Sequence, residues 1–410
     1  MKNLGSGMTA KCVTTPRLEC RTQKKRLDGS KRKYVSKIIH KPGKQHLDLE
    51  MFYRELLISK KIADMAISTH SKEWLDSRFA VVYESCLLDQ KVNKDQDFKA
   101  CELENDTDYL ILFSINGGCK AGGLEVGDET PYYNKADNTL YTGVIESIKD
   151  NNYLVRLKDL GGQVVEINKH LTVRTCGVLN TKRVIDTFFS KVETLKPRFK
   201  YILESIKFLH SIGIAHLDIK RDNLISDSGG TIRMIDFGAS LALTGENELF
   251  FKKVCEKMKT SKHNDFTDKF KHGLLMKIAV HTPGYVAPEF QLCTEILGNR
   301  HLNKDKVSRK ISKKSKVNLS KSDNEFFKSL VKHKQKFLVD MFCGIDNNSP
   351  ALFLSDVYSL GTVFKKIARD GKVKNKQLRA LIKRMREPVY TKRITIDQCL
   401  EHPFFKDSTN

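Results

Sequence analysis

Two short stretches, His216-Leu-Asp-Ile-Lys-Arg-Asp-Asn223 and Asp236-Phe-Gly238, decide how the rest of the chain is read. Ahead of the first, Phe199, Ile202, Leu203, Ile206 and Leu209 recur at helical spacing, and Ser211-Ile-Gly213 marks a turn. The pattern therefore sets a helix, a loop rich in polar groups, a short strand pair and a second polar loop in close succession. Asp218, Asn223 and Asp236 offer hard oxygen donors, and Lys220 offers a cation, on two loops that are near neighbours in sequence.

Together the stretches match the H-x-D-x-K-x-x-N and D-F-G elements of protein kinases. The chain resembles the eukaryotic-type serine/threonine protein kinase family from Leu4 to Phe405. The resemblance implies an α+β, bilobal fold, with a small β-rich N-lobe and a larger α-helical C-lobe. It implies transfer of the γ-phosphate of ATP to serine or threonine hydroxyls of protein substrates, with Mg²⁺ as cofactor. That chemistry asks a protein for positioning and charge neutralisation more than for covalent work. Asp218 would accept or orient the substrate hydroxyl, and Lys220 would steady the transferring phosphate. Asn223 and Asp236 would ligate the metal, since Mg²⁺ wants oxygen ligands in octahedral array.

Towards the N-terminus, Leu4-Gly-Ser-Gly-Met-Thr-Ala-Lys-Cys12 resembles the family's nucleotide-covering loop. Gly5 and Gly7 would let backbone N–H groups approach phosphates, with Ser6, Met8, Thr9 and Lys11 between and after them. Ala10 stands where a third glycine is usual. Only four residues precede Gly5, so the first strand of the lobe is expected to be nearly absent. Lys37, in a short β-like run, resembles the strand lysine that holds the α- and β-phosphates. Its helix partner would be Glu50 or Glu55. Glu55 shares the apolar stripe of Met51, Ile58 and Ile62, whereas Glu50 falls off it.

Towards the C-terminus, Thr282-Pro-Gly-Tyr-Val-Ala-Pro-Glu289 resembles the end of a kinase activation segment. Asp356 resembles the helix aspartate that anchors the catalytic loop. Glu289 would pair with Arg393 as a structural ion pair, and His402-Pro-Phe-Phe405 resembles the closing segment. Lys220 with Thr282 marks the serine/threonine branch. Departures are equally specific. Leu217 replaces the arginine that clamps a phosphorylated activation loop, and the stretches from Asp236 to Glu289 and from Glu289 to Asp356 are long. Insertions on a lysine-rich minimal frame resemble kinases of large DNA viruses.

The expected organisation is one kinase domain over 1–405. It comprises an N-lobe and hinge over 1–118, an inserted β unit over 135–176, and a C-lobe over 181–405 with a basic insertion over 295–350. Within the β unit, Tyr153, Val155 and Leu157 alternate with polar residues, in a pattern similar to small Tudor-like barrels. The run Arg300–Lys321 has few apolar residues and no clear period, so it reads as a mobile surface insertion.

Lys and Arg number 72 against 49 Asp and Glu, a formal net charge of +23. Such a surface suits acidic or phosphorylated protein substrates, and nucleic acid is a further possible partner. The ten cysteines are scattered without a Cys-x-x-Cys pair, so reduced thiols in a cytoplasmic setting, or a nucleus or virion, are expected. No apolar run approaches the ~18 residues of a membrane span, so no transmembrane segment is expected. A second reading is a pseudokinase-like scaffold that binds acidic partners through the basic insertion. It calls for loss of Lys37, Asp218 or Asp236, and all three are present.

Overall fold

A computed structural model of the chain describes residues 2–6, 10–14, 34–40, 46–87, 109–115, 126, 129–134, 139–149, 152–157, 162–168, 177–227, 229–243, 253, 255–256, 275, 278, 281–298, 304–343 and 350–406. Gly7, Met8 and Thr9, the basic stretch 21–33 and the expected hinge at 116–118 lie outside the described residues. The chain mixes helices and strands, with helix in the majority, and divides into two compact units. One is Met1–Gly43, His70–Phe188 and Leu224–Ile235. The other is Lys44–Thr69, Phe189–Asn223 and Asp236–Asn410.

The first unit opens with β1 (Lys2–Ser6), β2 (Ala10–Thr14) and β3 (Tyr34–His40). Two helices follow, α1 (His46–Thr69), which belongs to the second unit, and α2 (Lys72–Arg78). Then come β4 (Val82–Leu87) and β5 (Tyr109–Ile115). The five strands form one antiparallel sheet in the order β1-β2-β3-β5-β4. β-Branched and aromatic residues dominate β3 and β5, as central strands require. The expected near-absence of a first strand is corrected. Lys2–Ser6 pairs with β2, Gly5 opposite Cys12 and Ser6 opposite Lys11, because a short hairpin needs few residues once its partner strand is fixed in a sheet.

A second antiparallel sheet follows: β6 (Glu129–Asn134), β7 (Thr139–Lys149), β8 (Asn152–Leu157) and β9 (Val164–Asn168). Each strand pairs with its neighbour in sequence, which is a meander; barrel closure is not among the pairings of the described strands. The alternation in β8 holds: Tyr153, Val155 and Leu157 are buried with Ile145, while Arg156 is exposed and pairs with Glu146. Gly143 has no substitute, since a Cβ there would lie 2.4 Å from Val155 Cγ1. Strand content begins at Glu129, ahead of the expected start of the inserted unit.

Short strands β10 (Gly177–Val178), β11 (Ile214–Ala215), β12 (Leu224–Ser226), β13 (Ile232–Met234) and β14 (Leu241–Ala242) form two small sheets, β10-β12-β13 in the first unit and β11-β14 in the second. Helix α3 (Lys182–Phe188) closes the middle part of the first unit.

Besides α1, the second unit contains α4 (Val192–Ser211), α5 (Pro288–Gly298), α6 (Lys304–Ser315), α7 (Lys321–Lys332), α8 (Lys334–Cys343), α9 (Ala351–Asp370), α10 (Lys376–Met385) and α11 (Ile396–Leu400). The apolar face of α4 is buried at all five expected positions, and Phe199 stacks on Phe364 of α9 with ring centroids 3.6 Å apart. The turn after α4 uses Gly213 at φ 75°, where a side chain would be strained.

Two expectations fail here. The basic run is not an unstructured insertion: α6 spans most of it. Ile311 is its anchor, fully buried in the core with Leu292, Phe327 and Met341, and Lys310 and Lys314 pair with Glu295 of α5. Among its described residues, one buried apolar side chain and two ion pairs hold a helix too polar to show a period. Nor are all cysteines free. Cys255 and Cys343 form a disulfide across 88 residues, a proximity that only the tertiary fold creates.

Candidate functional site

The buried carboxylate of Asp356 on α9 shapes the loop after β11. Its Oδ2 accepts the backbone N–H of His216 at 2.7 Å and its Oδ1 that of Leu217 at 2.8 Å. His210 Nε2, at the end of α4, lies 3.0 Å from the same Oδ2. Two consecutive N–H groups are thereby satisfied without a strand or helix partner. Leu217 sits at φ 63°, a conformation costing ~1–2 kcal/mol for an ordinary residue. Its side chain offsets that cost by burial with Leu241, Leu243, Ile278 and Val286.

Beyond this bend the polar groups converge. Lys220 Nζ donates to Asp218 Oδ2 at 2.6 Å and to Thr282 Oγ1 at 3.1 Å. The Thr282 hydroxyl donates to Asp218 Oδ1 at 2.6 Å. Asn223 Nδ2 donates to the Asp218 carbonyl at 2.9 Å and to Asp218 Oδ2 at 3.1 Å, so Oδ1 is its atom not engaged with Asp218. Asp218 is thus held on both oxygens by one cation, one amide and one hydroxyl.

Asp236 lies at φ 65° on the following loop. Phe237 is buried against His216, with ring centroids 5.3 Å apart, and Ser240 Oγ donates to the His216 carbonyl at 3.1 Å. These contacts tie the Asp236 loop to the loop carrying Asp218. At the other end of the Thr282 segment, Arg393 forks onto Glu289, Nη1 to Oε1 at 2.5 Å and Nη2 to Oε2 at 2.8 Å, with both side chains fully buried. Ser355 donates to Glu289 as well. A buried bidentate pair of this kind is costly to break from one side. Nearby Cys293 is fully buried; burial, aided by the charge of Glu289, pushes its thiol up and makes it a poor nucleophile.

The structure therefore brings together Asp218, Lys220, Asn223 and Thr282, with Asp236 on a loop fastened to theirs. Lys37 lies on β3 of the first unit, opposite Cys12 and Leu112. Leu4, Gly5 and Ser6 lie on β1, and Ala10, Lys11 and Cys12 on β2, of the same sheet. Glu55 is buried on α1 of the second unit, on the stripe with Ile58 and Ile62. His210 and Ser240 carry no motif and were not anticipated; a histidine in the last turn of α4 is the only trace the sequence offers.

Comparison with known proteins follows the same lines. The family model described as Protein kinase domain matches residues 142–405, more than half of the chain. The matched span includes Asp218, Asp236, Glu289, Asp356 and Arg393, and begins after the β1–β2 hairpin, Lys37 and Glu55. The calcium/calmodulin-dependent protein kinase type IV of Mus musculus is 29% identical over 150 residues, 36% of this chain and 26% of that protein. Cyclin-dependent kinase 20 of Danio rerio is 25% identical over 162 residues, 35% of this chain and 46% of that protein. The serine/threonine-protein kinase oca2 of Schizosaccharomyces pombe is 46% identical over 43 residues, 10% of this chain and 7% of that protein. The chain thus covers less than half the length of each of these relatives.

Proposed function

The chain belongs to the protein kinase domain family, and on that premise we propose that it transfers the γ-phosphate of ATP to serine or threonine hydroxyls of protein substrates. The observation that carries the reading is the hydroxyl of Thr282 donating to Asp218 Oδ1 while Lys220 bridges both groups. A carboxylate that already accepts an aliphatic hydroxyl can accept that of a substrate. Asp218 then orients the attacking oxygen and takes its proton. Lys220 offsets the charge that gathers beside it.

The donor set fits Mg²⁺. Both Asn223 Nδ2 bonds go to Asp218, which leaves Oδ1 as a neutral oxygen donor, and Asp236 supplies a carboxylate from the adjoining loop. One or two protein oxygens suffice for an ion that keeps several waters and binds phosphate. When bound, the metal would neutralise charge on the phosphate oxygens. Lys37 and the β1–β2 hairpin are the proposed nucleotide contacts of the first unit. The β6–β9 sheet, with its own small core of Ile145, Tyr153, Val155 and Leu157, is proposed as a separately packed appendage.

The deciding assay uses radiolabelled ATP with acidic and basic model proteins, wild type beside Asp218→Asn, followed by phosphoamino-acid analysis. Phosphoserine or phosphothreonine from the wild type, lost at least ~10³-fold in the variant, is expected. Phosphotyrosine as the main product, or equal transfer by both proteins, overturns the proposal.

A further inference from the structure

Between α6 and α7 lies a groove of about 940 Å³ lined by five cationic residues and a single acid. Lys328 is committed to that acid, Glu325, at 3.0 Å. On the neighbouring faces Lys310 and Lys314 are committed to Glu295. Arg309, Lys313, Lys316 and Lys321 have no carboxylate partner among the described residues, and all four are exposed. Ser312, Asn318 and Asn324 add neutral hydrogen-bonding groups to the lining. The groove is thus a field of predominantly positive sign, which concentrates anions.

Its position is as specific as its charge. The backbone N–H of Gly284 donates to the Lys314 carbonyl at 2.8 Å, so the end of α6 is fastened to the turn that follows Thr282. Gly284 is at φ 82°, and a Cβ there would sit 3.2 Å from Lys316 Cδ, so the Lys316 stem lies along this turn. Thr282 in turn touches Asp218 at 2.6 Å. A continuous path therefore runs from Asp218 through Thr282 and Gly284 to the groove, all within the second unit.

We propose that the α6–α7 groove binds acidic side chains of the protein substrate, a few residues from the phosphorylated hydroxyl, and so sets substrate selectivity. This rests on the kinase reading above. The occupant follows from the site's charge and its attachment to the turn after Thr282, along which a peptide with its hydroxyl at Asp218 would extend. The lining has no aromatic residue on which a base could stack, as single-stranded nucleic acid binding usually demands.

The experiment compares two fluorescent peptides with the same central serine, one flanked by Asp and Glu, the other by Asn and Gln. Each is measured for binding by anisotropy and for phosphorylation. Lys313→Glu/Lys321→Glu and the milder Lys313→Gln/Lys321→Gln are set beside wild type and a control on another surface, Lys374→Glu, which matches the charge change of the milder pair, with melting temperatures confirming that each is folded. Wild type and control should favour the acidic peptide by about tenfold, through KM rather than kcat, and both double variants should lose that preference. Equal binding of the two peptides by wild type, or a preference that survives in both double variants, overturns the groove even if serine is phosphorylated. Lysine-dependent preference in binding without any phosphorylation upholds the groove and removes the kinase reading instead. Single-stranded RNA or phosphatidylserine vesicles that bind more tightly than the acidic peptide, and fail to bind the double variants, overturn the assignment to substrate.

Discussion

Leu217 donates its backbone N–H to Asp356 Oδ1 at 2.8 Å across 139 residues of sequence, and this bond holds the bend that presents Asp218. Asparagine in place of Asp356 keeps one acceptor but turns an N–H₂ group towards the N–H of either His216 or Leu217. Asp356→Asn should cost ~1–3 kcal/mol, the usual penalty for stranding a buried donor. It should also lower kcat more than it raises KM for ATP. Chemical denaturation with steady-state kinetics checks both, and an unchanged kcat would mean that the bend does not set the position of Asp218.

Leu217 also bears on regulation. A phosphate added to an activation segment gains stability through charge-assisted hydrogen bonds to a basic cluster. At this position the chain has a buried leucine, part of the core cluster that includes Leu241, Leu243 and Ile278. Activity should therefore survive phosphatase treatment of enzyme made in bacteria, within about twofold, whatever the state of Thr244, Thr260 or Ser261. Loss of activity that returns on rephosphorylation within residues 240–281 would refute the expectation.

Gly361 in α9 sets two effects against each other. Alanine in a helix interior gains ~1 kcal/mol over glycine. A Cβ at 361, however, would lie 2.7 Å from Met385 Cβ and 2.9 Å from Arg386 Cγ. Met385 Cβ is attached to the backbone of α10 and cannot swing away, so overpacking, at ~1–3 kcal/mol, should win. Gly361→Ala should lower the melting temperature, and a rise would show that α10 shifts freely.

His402 gives a pH signature. Burial, and then the positive charge of Arg384, hold its imidazole below the ordinary histidine range, and Nδ1 accepts the Phe404 N–H at 3.2 Å. The folded state thus favours the neutral ring, so the contribution is complete above the unfolded value of about 6.5 and is lost as pH falls through the lower folded value. Melting curves from pH 8 to pH 5 should show a smaller acid-side fall for His402→Gln, which can still accept that N–H. Parallel curves would dismiss the role.

What the sequence made legible was local or carried by motif. The α4 stripe, the alternation of Tyr153, Val155 and Leu157, the β3 run around Lys37 and the Glu289–Arg393 pair are all written in local pattern or motif. Apart from the β1–β2 hairpin, which is local, what the sequence hid depends on contacts far apart along the chain. Nothing periodic in Arg300–Lys321 announces that Ile311 reaches the core, or that Glu295 pairs with Lys310 and Lys314. No spacing rule brings Cys255 to Cys343, and His210 acquires a role only because α9 places Asp356 beside it.

The Cys255–Cys343 bond changes what a break in the chain means. It closes a covalent ring that carries Thr282, Glu289 and every residue of the α6–α7 groove. A single cut anywhere in that ring opens it without releasing a fragment, so the severed molecule keeps its full mass until the bond is reduced. Hydrolysis within the ring is therefore survivable: nicked protein stays one particle, with the Thr282 turn and the lysines beside it still joined to the loop of Asp218.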